Sequence, residues 1–307
     1  MNTSRRTFLK QGSLALAGAS LLSNQLLAAA AAKNEILGIQ LYSVRDDMKK
    51  DPSGTLKQLA GMGYKYVEHA NYINGKFYGY APKDFKKLLD DLGLKMYSGH
   101  TVMHKEDWNE SANDFTDKWK QTVADAAVVG QQYVISPWLD ESLRNNMSDF
   151  KRYMDVFNKC GQLCKKSGMK FGYHNHNFEF STKLDGVRLY DLILKNTDPN
   201  LVAQQLDMGN MYEAGGIAMD VVKQYPGRFE LMHVKDEIKS KNPGEMGGGY
   251  ESTVLGKGVI PVKEVIDFGR NKGGTTQFII EQESYQNTTP LECAKEDLRI
   301  MKGWGYK

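Results

Sequence analysis

At 307 residues, 41% of them hydrophobic, the chain is long enough to bury a substantial core as one large domain or two small ones. Its 40 basic residues stand against 37 acidic ones, a net charge of +3. Part of that excess lies in the amino-terminal segment, so the remainder is near neutral and gives no electrostatic case for a nucleic-acid partner. The three cysteines describe no disulfide framework: Cys160 and Cys164 lie one helical turn apart, where a bridge would close only a tiny loop, and core packing is expected for them and for Cys293.

Residues 1 to 32 read as a processing signal outside the fold. Ser4-Arg5-Arg6-Thr7-Phe8-Leu9-Lys10 resembles the twin-arginine export motif, Leu14 to Leu27 are weakly apolar, and Ala28 to Ala32 supply small residues for cleavage. Export to the periplasm with maturation near Ala32 is expected, and no cysteine is present there for a lipid anchor. No later stretch approaches the ~18 uninterrupted apolar residues of a membrane span. The expected organisation is therefore a signal peptide, 1–32, and one domain, 33–307.

From Ile36 onward strand-like and helix-like segments alternate. Ile36 to Tyr42 is a buried strand, and a helix from Pro52 to Met62 follows, opened by Pro52 and closed by Gly63. Lys65 to Ala70 and Lys95 to His100 are the next strands, separated by a helix from Pro82 to Leu92. A long helix from Asn109 to Val129, a short strand from Tyr133 to Ser136 and a helix from Met147 to Ser167 come next. The fifth strand, Lys170 to His174, precedes a helix near Val187 to Lys195. A strand ending at Asp207, a helix from Ile217 to Gln224 and a strand ending at His233 continue the pattern. Asp236 to Gly258 is a long polar loop, either a lid or a disordered insertion. A helix from Pro261 to Lys272, a strand from Gln277 to Glu283 and a helix from Pro290 to Lys302 complete eight strand–helix units. With no linker or composition break, they argue for the α/β class and a single (β/α)8 (TIM) barrel, over a doubly wound sheet that would usually carry a glycine-rich phosphate loop.

The chemistry concentrates in Lys170 to Phe180, KFGYHNHNFEF, where alternation puts His174 and His176 on one side and Glu179 follows as the chain leaves the strand. Three more apolar runs end in residues of the same type: VAQQLD at Asp207, FELMH at His233 and QFIIE at Glu281. A polar residue closing one strand is ordinary. Carboxylates and imidazoles at four strand ends make a divalent-metal site, because a barrel gathers all such ends on one face.

These pieces resemble the xylose isomerase-like barrel superfamily, specifically the sugar phosphate isomerase/epimerase group. The resemblance rests on GIQLYSVRD, YHNHNFEF, QLDMGNMYEAGG, MHVKD and FIIEQE, and it covers the chain beyond the signal. It implies one divalent cation, manganese first with zinc, magnesium or cobalt as alternatives, held by Glu, Asp, His and Glu; the last three fall on Asp207, His233 and Glu281. The first ligand departs from that pattern, since His174 stands where many members have glutamate. The favoured reading loops Glu179 back to the metal and leaves His174 and His176 for the substrate; the alternative makes His174 the ligand and Glu179 an acid/base.

The implied reaction is isomerisation or epimerisation of a sugar, with the metal stabilising the enediolate formed when a proton leaves the carbon beside a carbonyl. Glu281, Glu179, His176 and His100 are the candidate acid/base groups. His100, Lys235, Asp236 and Trp138 are candidates for substrate contact, with Tyr42 and Trp108 as further wall residues and Glu68 and His69 as weaker candidates. The export signal prompts a second reading, a lyase or hydrolase that expels the aglycone of a 3-keto-glycoside. A third is a periplasmic sugar-binding barrel without catalysis. The apurinic-site endonucleases of the same superfamily are disfavoured by near-neutral charge and only six histidines. The expected partner is a small carbohydrate, and a homo-oligomer is left open.

Overall fold

The computed structural model describes residues 35–241 and 243–307, and the expected export segment lies outside them. Eight parallel strands close on themselves: β1 (Ile36–Gln40), β2 (Tyr66–His69), β3 (Lys95–His100), β4 (Tyr133–Ser136), β5 (Lys170–His174), β6 (Val202–Asp207), β7 (Leu231–Val234) and β8 (Gln277–Ile280). Neighbours in the barrel are neighbours in sequence, and β8 returns to β1 with Ile36 opposite Gln277. The outer helices are α1 (Pro52–Met62), α2 (Pro82–Asp91), α3 (Asp117–Val129), α4 (Met147–Lys165), α5 (Leu189–Asn196), α6 (Ala218–Gln224), α7 (Val262–Phe268) and α8 (Pro290–Gly303). The expected (β/α)8 barrel is the observed fold.

Local chemistry sets the helix ends as expected. Asp51 accepts from the Gly54 amide at 2.9 Å to cap α1, Pro52 occupies its first turn, and Gly63 ends it at φ 103°, a left-handed conformation that favours glycine. Asn146 caps α4 at 2.8 Å, and Thr289 with Glu292 forms a capping box on α8. All three cysteines are buried and free; Cys160 accepts from the Trp119 indole at 3.1 Å.

The largest departures from the periodicity are four. The third helix begins at Asp117 rather than Asn109, because Trp108–Asn109 pairs antiparallel with Asp114–Phe115 and Thr116 then caps the helix. The last strand stops at Ile280, so Glu281 to Glu283 stand on irregular backbone beyond it. α7 ends at Phe268 and passes into a π turn over Gly269–Gly273. The long loop after β7 is a built hairpin, with Asp236–Lys239 paired to Tyr250–Thr253, which corrects the disordered-insertion alternative for its described residues. Its strands carry Ile238 and Thr253, β-branched residues that suit a paired edge.

Two apolar layers position the site. The larger packs strands against helices, with Phe85, Phe157, Phe171 and Ile266 fully buried. The smaller joins Ile135, Ala203 and Leu231, from β4, β6 and β7, across the lumen. It forms a floor, and the next inward residues along the same strands meet above it.

Candidate metal centre

Alternation along each strand builds the centre. On β6 the inward residues run Ala203, Gln205, Asp207, and on β7 Leu231 then His233, with Asp207 and His233 directly opposite in register. On β5 Gly172 precedes His174, which pairs with Gln205. Glu68 comes from β2, Ser98 and His100 from β3, and Glu281 from just beyond β8. The result is an apolar floor, a ring of amide and carboxyl groups, and imidazoles with carboxylates at the mouth.

Among the described residues, His174, Asp207, His233 and Glu281 each offer a donor atom within 4.8 Å of the others, and all four are buried. His233 Nδ1 lies 3.0 Å from Glu281 Oε2 and 3.6 Å from Asp207 Oδ2, which lies 4.0 Å from His174 Nε2. Asp207 Oδ1 caps the turn that follows β6 through the Asn210 amide at 2.7 Å. Its Oδ2 is buried without a hydrogen-bond partner, which is costly unless a cation takes it. The donor set of two imidazoles and two carboxylates fits a divalent metal.

The groups beneath this cluster set which ring nitrogens are free. Glu68 Oε1 is 2.6 Å from His233 Nε2 and accepts from Gln40 at 2.8 Å, while Oε2 accepts from Ser98 and from Gln205 Nε2 at 2.8 Å. Glu68 therefore fixes a proton on His233 Nε2, and Nδ1 faces Asp207 and Glu281, where a bound cation would take the place of the ring's second proton. With its amide nitrogen spent on Glu68, Gln205 presents Oε1 to His174 Nδ1 at 3.0 Å and to His100 Nε2 at 2.7 Å, so His174 turns its Nε2 lone pair upward. One buried carboxylate orients both imidazoles, the second through an amide.

The electrostatics agree. Burial favours the neutral forms of both groups, but His100 and His233 hold the Glu68 carboxyl well below the usual range, and Glu281 with Glu68 raises His233 well above its ordinary value. The cluster thus attracts positive charge. Burial, reinforced by His233 and His100, lowers His174 and keeps it neutral, and burial lowers His176 to about 3.

Glu179 is elsewhere, a correction to its expected fold back over the strand end. It sits in a turn over Phe178–Ser181, where one oxygen accepts from Tyr173 and the other from the His176 amide at 2.9 Å. With both oxygens engaged, the fourth place in the donor cluster falls to His174. Burial raises Glu179 to about 7.

Asp236 is also corrected. Its carboxylate accepts from the amides of Glu237, Gly256, Gly258 and Ile260 and ties the hairpin to the barrel, with no oxygen left for a substrate. Lys235 is fully buried beside the cluster, donating to Asn210 at 3.0 Å and to Glu283, with Glu281 at 3.9 Å. His69 packs edge-on to Phe77, and Trp108 packs on Phe115 beneath the Lys159 ammonium.

Above the cluster opens a cavity of about 880 Å³ that reaches His100, His174, His176, Trp138 and Glu281 and runs outward past Tyr42. His176 Nδ1 is buried without a partner. Sequence reading missed Gln205, Asn210, Glu245 and Glu283. Gln205 and Glu283 lie two residues from Asp207 and Glu281, a spacing that could have marked them; Glu245 comes from the hairpin and had no local signal.

A family model described as xylose isomerase-like TIM barrel matches residues 56–304. The chain is 33% identical over 180 residues to an inosose dehydratase of Clostridium perfringens, a match covering 54% of this chain and 59% of that enzyme's length. A sugar phosphate isomerase/epimerase crystal structure from Parabacteroides distasonis is 26% identical, with a TM-score of 0.74 over 88% of this chain and 94% of that one. The IolI protein with a bound zinc atom shares the fold, with a TM-score of 0.68 at 13% identity over 89% of this chain and 99% of the other.

Proposed function

Because the chain belongs to the xylose isomerase-like TIM barrel family, we propose that it is a metal-dependent lyase on a keto sugar, removing the proton beside the carbonyl and expelling the substituent one carbon further on. The observation that carries this reading is the unpartnered Asp207 Oδ2 within a four-donor cluster at the base of a large cavity. The similarity to an inosose dehydratase, whose name denotes elimination, supports it.

His174, Asp207, His233 and Glu281 would hold the cation, with manganese or zinc suiting mixed nitrogen and oxygen donors better than magnesium. A cation there supplies Lewis-acid stabilisation of the charge that develops on the carbonyl oxygen as the proton leaves. His176, which lines the cavity beside the cluster, takes the proton. The C–H electrons form a C=C bond conjugated with the carbonyl, and the neighbouring C–O bond breaks. The departing oxygen keeps that bond's electron pair and takes up the proton that His176 received. Lys235 and Glu283 hold Asn210 and the rim of the site in place.

Isomerisation or epimerisation is the second reading, favoured by the Parabacteroides distasonis neighbour. Proton exchange on two faces asks for a second carboxylate, and Glu179 is turned to Tyr173 instead. A phosphate is also poorly matched, because Glu245, Glu281 and Glu283 line the cavity wall. The proposal keeps the exported location expected from Ser4 to Lys10, tested by cell fractionation with and without Arg5→Lys and Arg6→Lys.

The deciding experiment incubates manganese-loaded protein with 3-keto-glucosides and free ketoses in deuterated water. Elimination gives a conjugated enone with near-ultraviolet absorbance. Deuterium in a recovered or isomerised ketose without enone would replace the lyase reading by isomerase/epimerase, and no exchange with any substrate would leave the sugar-binding barrel. Asp207→Asn, which keeps the oxygen that caps the Asn210 amide, should lose both metal and turnover.

A further inference from the structure

The cavity is larger than one sugar ring needs. At ~30 Å³ for each water-sized group, 880 Å³ has room for roughly thirty, whereas a hexose has about twelve heavy atoms. The inner end is the metal cluster. The outer end is bounded by Tyr42, Trp138 and Ile73, which are 42%, 40% and 59% exposed and are three of the six exposed large hydrophobic residues among those described. Scattered exposed apolar residues mean little, but three converging on one cavity mouth mark a binding surface.

These side chains are also held. The Arg144 guanidinium lies 4.8 Å from the Trp138 ring centroid, and that ring meets His176 edge-on at 5.6 Å. Arg45 lies 4.7 Å from the Tyr42 ring and donates to the Tyr285 hydroxyl at 2.8 Å. Asn71, Asn74 and Gln121 line the same outer wall. Ordered aromatic faces beside amide side chains suit a sugar, which has an apolar face for stacking and a rim of hydroxyls for hydrogen bonds. Trp138 touches His176, so the outer surface is continuous with the inner site.

We propose that the outer half of the cavity is a subsite for a second sugar ring, making the substrate a keto-disaccharide whose outer sugar is the leaving group. This rests on the lyase reading above. The inner ring presents its carbonyl at the metal cluster, and the proton leaves the carbon between that carbonyl and the glycosidic carbon. The glycosidic C–O bond breaks, and the outer sugar departs with the bond's electron pair and a proton as a free alcohol. A dehydratase needs room only for water at that position; Tyr42 and Trp138 provide for a ring.

The test compares the manganese-loaded full chain on 3-keto-cellobiose and on methyl 3-keto-glucoside, which carry the same scissile bond with and without the second ring. The wild-type protein should prefer the disaccharide in kcat/KM by about tenfold, the scale of one aromatic platform. Trp138→Ala and Tyr42→Ala, both at partly exposed positions, should bring that ratio toward one. Equal kcat/KM for the two substrates in the wild type, or an unchanged ratio in both variants, overturns the subsite. If neither substrate yields enone or exchanges deuterium, the lyase reading fails by itself. Calorimetry then still decides the subsite: tighter binding of the disaccharide that weakens in both variants upholds it, and equal binding overturns it.

Discussion

Glu68 Oε1 lies 2.6 Å from His233 Nε2, on the opposite side of the imidazole from Glu281, whose Oε2 lies 3.0 Å from Nδ1. The ring is clamped between two carboxylates contributed from β2 and from just beyond β8, the two strands that flank β1. Glu68 is fully buried and remote from the cavity mouth, yet it sets the proton on His233 and, through Gln205, the proton on His174.

Glu68→Ala should therefore weaken metal binding by ~10–100-fold without removing any donor atom, the usual scale for losing the partner that orients a metal-bound histidine. Competition with a chromophoric chelator measures it. Wild-type affinity in the variant would mean that His233 is held by packing alone.

Exchanging the roles of His174 and Glu179 gives a second test. His174→Ala should lower metal stoichiometry, whereas Glu179→Gln should keep it, because Glu179 spends both oxygens on Tyr173 and the His176 amide. Elemental analysis of the purified variants decides, and the reverse pattern would restore Glu179 as the fourth donor.

Glu179 also predicts a pH dependence of stability. Burial raises its folded-state pKa from 4.5 to about 7, so between those values the folded state holds a proton that the unfolded chain has released. Its contribution is present in full below the unfolded value and is lost as pH rises through about 7. The difference in Tm between wild type and Glu179→Gln should shift against the wild type from pH 4.5 to 7. A pH-independent difference would show that the carboxyl titrates alike in both states.

Gly99→Ala should destabilise the barrel by ~1–3 kcal/mol, the cost of overpacking. A Cβ on Gly99 would fall on the His69 ring and the Gln131 amide behind β3. Urea unfolding measures the loss, and a neutral substitution would require that wall to yield freely.

Much was legible from local rules. Pro52, Pro82 and Pro290 open helices, Gly63 and Gly130 close them, and apolar runs between them fix strand identity, so the number and order of the units follow from the chain itself. Placing Asp207, His233 and Glu281 together needed one further inference, that a closed parallel barrel brings carboxyl ends to one face. The later start of the third helix had a local signal, since Asn109, Ser111, Asn113 and Asp114 are turn and cap formers and the chain turns through Asn113 at φ 48°.

What only the tertiary structure decided is the direction of the flexible side chains. From spacing alone Glu179 could reach the metal or turn away, since nothing local chooses between an ion and a tyrosine; the buried Tyr173 hydroxyl, itself in need of a partner, draws it away from the cluster. Asp236 could have met substrate, but four loop amides up to twenty-four residues further along converge on it. Glu68 looked structural beside three stronger histidines, and its hold on two of their rings exists only because β2 faces β6 and β7 across a closed lumen. Sequence pattern determines which residues reach the mouth of the barrel; the competition among buried polar groups for partners determines which of them face the metal.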